Sequence, residues 1–175
     1  ISASNDAEHY FYNPRIDFNL LEKHKEGIIV LTGGTRDGII SSFATSAPIR
    51  AEALVRRFLK IFDENHFYLE VQNTGDPTQK AVNSKLREIA GKYGLKTVAS
   101  GNVHYVSPAD AEAHKALLSI ENNKYNKLTE TDFTAEEFYI KSHDELAKLD
   151  FTSDELALAY EIGQRCNVNI DLKSH

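Results

Sequence analysis

The run Ile28-Ile29-Val30-Leu31 sets four apolar residues in a row with no polar break. Such a run marks a strand buried on both faces, as in parallel sheets. Gly33-Gly34-Thr35-Arg36-Asp37-Gly38 follows it directly. A glycine-rich loop after a strand can cradle phosphate through backbone N–H groups. Neither nucleotide-binding spacing is complete here, so a tight strand-to-helix turn is expected instead. Two more strands are predicted. In Phe67–Gln72, alternation places Tyr68, Glu70 and Gln72 on one face and Phe67, Leu69 and Val71 on the other. The third covers residues 96–106. Between them, residues 50–62 repeat apolar side chains at Leu54, Val55, Phe58, Leu59, Ile61 and Phe62. Residues 78–93 align Val82, Leu86, Ile89, Ala90 and Tyr93 on one face, and Gly94 ends that helix. Strand–helix–strand–helix–strand with crossover-length helices is the signature of parallel βα units. The three strands should therefore lie parallel and adjacent in chain order, with both helices on one side.

The flanks read more simply. Residues 1–16 form an extended lead-in, and Asp17 caps a short helix over 18–24 that Gly27 can close. Ser107 and Pro108 open a helix over 109–121, followed by a polar loop over 122–132. Three capping boxes come next, Thr134…Glu137, Ser142…Glu145 and Thr152…Glu155, each heading a helix, the last running to about residue 166.

Charge and composition exclude several classes. A net charge of −6 argues against autonomous nucleic-acid binding, since phosphate contacts demand a basic excess. The single cysteine, Cys166, rules out an internal disulfide, fits a reducing cytoplasm, and is expected to be a buried, inert thiol. No apolar run reaches membrane-spanning length, and the N-terminus lacks a signal-peptide core. The chain has no methionine, so it is expected to be part of something longer.

Chemistry in α/β folds collects at the carboxyl ends of strands. There, Asn102 and His104, two residues apart in a strand, would point the same way and could hold a metal or a phosphate, or serve as hydrogen-bonded rim residues. Glu70, beside Gln72, is expected to hydrogen-bond in the sheet interior. Among the other histidines, His114 should pack or cap within its helix, His24 should sit at a helix C-terminus, and His66 in a turn.

Several segments carry a family likeness. They are Tyr12-Asn13-Pro14-Arg15-Ile16-Asp17, Glu26–Leu31, Phe67–Gln72, Val98–Tyr105, Asp110-Ala111-Glu112-Ala113-His114, Phe138-Tyr139-Ile140-Lys141-Ser142 and Arg165-Cys166-Asn167-Val168. In that order, they resemble the later part of the PHP (polymerase and histidinol phosphatase) domain of bacterial replicative DNA polymerase III alpha subunits. The resemblance implies an α/β fold, a partial distorted (βα)7 PHP-type barrel over residues 1–121. A helical extension over 122–175 would lead towards the polymerase palm. It also implies a metal cluster whose ligands lie mostly in a first half that this chain is expected to lack.

Three ligand positions of the family fall here. A cysteine is usual where Gly34 stands, and an Asp-Val-His triplet is usual where Asn102-Val103-His104 stands. An amide oxygen brings a dipole in place of the charge that hard cations prefer, and glycine brings nothing. His104 and Asn102 are thus the only candidate metal ligands, the site is degenerate, and no catalytic residue is assigned. The resemblance implies a non-catalytic structural and docking module in DNA replication, part of a DNA-directed DNA polymerase (a nucleotidyltransferase), with no cofactor in this fragment. Its implied partners are the remainder of the polymerase chain and a proofreading exonuclease subunit, in the cytoplasm. An open strand edge invites self-association unless the lead-in covers it. The alternative is a metal-dependent phosphoesterase or 3′–5′ exonuclease with a zinc, manganese or iron cluster completed by an absent N-terminal half. A free-standing phosphatase of the histidinol-phosphate branch fits the later segments less well.

Overall fold

The computed structural model describes residues 10–11, 13–35, 38–124 and 137–169. Tyr10–Phe11 (β1) pairs antiparallel with Asn13–Pro14 (β2). Helix α1, Phe18–Lys23, starts where the Asp17 carboxylate accepts the Leu20 N–H at 2.7 Å, and His24 caps its other end. The chain continues through β3 (Val30–Leu31), α2 (Pro48–Phe58), β4 (Phe67–Gln72), α3 (Gln79–Tyr93) and β5 (Thr97–Ser100). Three helices complete it: α4 (Ala111–Lys124), α5 (His143–Leu146) and α6 (Ser153–Arg165).

β3, β4 and β5 lie side by side in chain order, and both pairings are parallel, as the apolar pattern predicted. The central strand β4 is buried at every position. Its Phe67, Leu69 and Val71 face the main core, where they meet Val55 and Phe58 of α2 and Val82, Leu86 and Ile89 of α3. Both crossover helices thus cover one face. On the other face, Tyr68 and Val98 pack against Leu158 and Ile162 of α6.

Helix α6 is fastened at both ends. At its start, Glu155 closes the capping box with Thr152 and accepts hydrogen bonds from Arg87 Nε at 2.8 Å, Arg87 Nη2 at 3.0 Å and Thr97 Oγ1 at 2.7 Å. Burial alone would raise the Glu155 carboxyl. The hydrogen bonds from Arg87, the Thr152 N–H and Thr97 outweigh it and hold the group below the usual carboxylate range. At its end, Arg165 donates to Tyr68 Oη and to the Asn65 carbonyl, both at 2.7 Å.

The structure shortens or shifts several elements. β3 spans two residues where four were expected, and Ile28 and Leu31 are 37% and 39% exposed. Among the described residues β3 has one strand neighbour, so its apolar run is an edge rather than a strand covered on both sides. β5 stops at Ser100, because Asn102 turns into the left-handed region with φ 45°. The described parallel sheet therefore has three strands and is open: the α/β class holds, while closure into a barrel is not seen. The described part of the lead-in makes its own two-stranded ribbon and does not pair with the β3 edge. Helix α2 ends at Phe58, though Ile61 and Phe62 stay in the core. Helix α4 follows a single 3-10 turn over Pro108–Asp110 and runs on into the stretch expected as loop.

The capping boxes at Ser142…Glu145 and Thr152…Glu155 are formed; Thr134, of the third, lies outside the described residues. Cys166 was expected to be buried and is exposed, because it caps α6 in extended geometry and leaves the face that carries Leu158 and Ile162. No helix among the described residues is long and apolar enough to cross a membrane.

Gly94 caps α3 at φ 66°, where a β-carbon meets no neighbour but strains the backbone. Gly94→Ala should cost about 1 kcal/mol in urea unfolding. An unchanged midpoint would contradict this reading of the cap.

Candidate functional site: the polar layer at the strand ends

The carboxyl ends of β4 and β5 gather polar side chains on the face that α6 covers farther back. Glu70, 9% exposed, lies at the centre. Its carboxylate accepts the Gly33 N–H at 2.9 Å, Gln72 Nε2 at 2.8 Å and Ser100 Oγ. Its own N–H donates to Thr32 Oγ1 at 2.9 Å. Gln72 Nε2 also donates to Ser100 Oγ at 3.1 Å. Asn83 of α3 holds the Gln72 backbone, donating to its carbonyl at 2.7 Å and accepting its N–H at 3.3 Å. One turn earlier in α3, Gln79 Oε1 accepts the Thr74 N–H at 2.7 Å and fastens the loop between β4 and α3. The space among Gly34, Ser41, Glu70, Gln72 and Asn83 is too small to admit a water molecule.

Where it is described, at residues 33–35 and 38, the glycine-rich loop spends its hydrogen-bonding groups inward. The Gly33 N–H is spent on Glu70 and the Gly38 N–H on the Gly34 carbonyl at 2.8 Å, while Ser41 Oγ donates to the Gly33 carbonyl at 2.7 Å. These bonds agree with a tight turn; Arg36 and Asp37, within it, lie outside the described residues.

The two residues singled out as candidate ligands do not share a strand face. Asn102 lies beyond the end of β5, exposed, in a left-handed turn. His104, also exposed, pairs its N–H with the Phe138 carbonyl at 2.8 Å, next to the single parallel bridge between Tyr105 and Tyr139. Its ring lies 5.2 Å from that of His114 and 5.3 Å, edge to face, from that of Phe138. His114 packs against this cluster as expected for a helix residue; burial first, and the neighbouring His104 second, hold its imidazole below the ordinary value. His66 sits in the turn before β4 with Nδ1 2.7 Å from Asp63 Oδ1.

These residues do not fit the metal cluster that the family likeness implies. At Gly34 there is no donor atom, and a β-carbon there would overlap Gln72 Oε1 and stand 2.8 Å from its Cδ. The one buried carboxylate nearby, Glu70, already accepts three hydrogen bonds. Among the described residues no three His, Cys, Asp or Glu side chains come together as a metal site would require. Sequence reasoning placed Glu70 and Gln72 on one face but missed Ser100, Thr32, Asn83 and Gln79. The signal was two polar residues alternating inside an otherwise apolar strand; their partners lie 28 to 38 residues away for Ser100 and Thr32 and could not be read locally.

Parallel strands with polar side chains gathered at their carboxyl ends make this an α/β chain, and its residues 1–74 match the PHP domain family. Its relatives narrow the family further. It is 35% identical over 174 residues to the DNA polymerase III subunit alpha of Thermus aquaticus, covering 94% of this chain and 14% of that protein. It is 39% identical over 118 residues to that of Aquifex aeolicus, covering 67% and 10%. With that of Deinococcus radiodurans it shares 31% over 179 residues, covering 97% and 13%. The chain is thus homologous to the PHP region of DNA polymerase III alpha subunits and spans a small part of their length.

Proposed function

We propose that this chain is a structural module of a replicative DNA polymerase alpha subunit, built on a PHP domain that does not hydrolyse phosphodiesters. The observation that carries this reading is the strand-end layer itself: Gly34 offers no donor, and Glu70 is occupied by Gly33, Gln72 and Ser100. A hydrolytic metal centre needs ligands free to converge on the ion and a position left open for water. In this reading the chain holds its place in a barrel of the (βα)7 type completed by the rest of the polymerase chain. Its partners are that remainder and a proofreading exonuclease subunit, in the cytoplasm. The β3 edge is the natural place for further strands, because an unpaired edge offers a row of N–H and C=O groups.

Purified protein is expected to carry no stoichiometric zinc, manganese or iron by elemental analysis, and to release no nucleotide from single-stranded DNA in the presence of manganese or zinc. His104→Ala should cost about 1 kcal/mol or less, because the His104 backbone bond survives and only side-chain contacts go. One equivalent of metal, lost on His104→Ala together with nuclease activity, would replace this reading by the metal-dependent phosphoesterase.

A further inference from the structure

We propose that Gly34 and Gln72 form a size-matched pair through which the chain supplies Glu70 with internal hydrogen-bond donors where a cation would otherwise be its counterpart. This rests on the non-catalytic reading above and goes further, because it says what stands in the place of an ion. A carboxylate taken out of water needs compensation from charge or from several donors. Among the described residues no lysine or arginine pairs with Glu70. Its compensation comes from the Gly33 N–H, the Gln72 carboxamide and the Ser100 hydroxyl. Of these, Gln72 is the adjustable part: its Nε2 reaches Glu70 and Ser100 together, at 2.8 and 3.1 Å. Asn83 fixes the backbone from which that side chain extends.

Gly34 is what leaves room for this arrangement. It does not take the left-handed conformation that Gly33 adopts at φ 76°, so glycine is not demanded there by the backbone. It is demanded by space: an added β-carbon would stand 2.8 Å from Gln72 Cδ and 3.0 Å from Gln72 Nε2. Gln72 is 6% exposed and its carboxamide is held by Glu70 and Ser100, so swinging away would cost both hydrogen bonds. A side chain at position 34 and the Gln72 carboxamide over Glu70 therefore exclude each other. One arrangement gives Glu70 two N–H donors and a hydroxyl; the other would put a new side chain beside the carboxylate and take the Gln72 donor from it.

The test is a double-mutant cycle on the full chain read by thermal unfolding, with Gly34→Ala, Gln72→Ala and the pair. Gly34→Ala should lower Tm by roughly 5 °C in the wild-type background, the usual scale for overpacking a filled site. In the Gln72→Ala background the same change should move Tm by less than half as much, because the side chain it strikes is gone. Equal shifts in both backgrounds would overturn the pairing. If a variant does not fold, side-chain amide exchange in the wild-type protein decides the matter. The Gln72 Nε2 protons should exchange at least tenfold more slowly than those of an exposed glutamine, and exchange at the exposed rate would overturn the proposal. Calcium or manganese should shift the wild-type Tm by less than 1 °C at 1 mM, and a saturable rise of several degrees would also overturn it. An additive cycle in a protein without nuclease activity would remove this proposal and leave the structural reading. A coupled cycle in a protein with nuclease activity would do the reverse.

Discussion

Arg87→Met is expected to remove about 3 kcal/mol of stability, the loss typical when one partner of a buried ion pair is withdrawn. The Glu155 side chain is 3% exposed while that of Arg87 is 28% exposed, so the carboxylate is the stranded member. Met keeps most of the aliphatic stem, so the loss reports the two guanidinium bonds to Glu155 and the 2.8 Å bond to the Asp150 carbonyl. The pH dependence carries a signature of its own. In the wild type Glu155 titrates below its ordinary value of 4.5, so its contribution is complete above that value and is lost as the pH falls below it. In Arg87→Met the buried carboxylate has lost its main partner, and acid relieves it by protonation. The gap between the two proteins should therefore close as the pH drops from 6 towards 3. Urea unfolding at several pH values measures it, and a constant gap would mean that Arg87 contributes by packing alone.

Phe67→Ala is expected to cost about 4 kcal/mol, within the range for large-to-alanine changes in a rigid core. Phe67 is fully buried, and its ring stacks on Phe58 with centroids 5.0 Å apart and planes at 11°. Phe58 in turn meets Phe18 edge to face at 5.1 Å, and the Arg57 guanidinium lies 3.9 Å above the Phe18 ring. The three rings run from the sheet through α2 to α1. α1 buries no residue fully and meets the core through Phe18 and Leu21, so this stack is one of its holds on the core. Hydrogen exchange on Phe67→Ala should show α1 amides losing protection before those of α3. A loss below 1 kcal/mol with α1 unchanged would show that the core refills the void.

The parts of this fold that could be read from the chain are those that local pattern decides. The central strand begins and ends at Phe67 and Gln72 as its alternation indicates, because both of its faces are covered and each residue's side is forced. Ser142 and Thr152 announce their helices because a capping box is complete within four residues. What stayed hidden depends on distant neighbours. The run at 28–31 could not reveal that it ends as an edge. Gly101-Asn102 is compatible with the left-handed turn that cuts β5 short, but the alternation of Asn102 and His104 reads equally well as continued strand. For α6, periodicity identifies Leu158 and Ile162 as the inner face but not the sheet they meet, nor that Glu155 will find Arg87. The candidate site divides the same way: Glu70 and Gln72 were visible as polar residues on one strand face, whereas the donors that occupy Glu70 arrive from β5 and from the loop after β3.

The attachment of α6 also has a consequence in time. Thr97 and Glu155 are 58 residues apart, and Tyr68 and Arg165 are 97 apart. A ribosome adding about 5–20 residues per second makes the second partner of each of these contacts roughly 3–20 s after the first. For that interval the finished parallel strands have no cover on one side, and Tyr68 and Val98 face water in the nascent chain. The polar layer beyond them, with Glu70, Gln72 and Ser100 bonded to one another, contains no residue later than Ser100 and can close first. During synthesis this end of the sheet is thus the one already protected from a stray partner, and the end beneath α6 is the one that depends on the chain being finished.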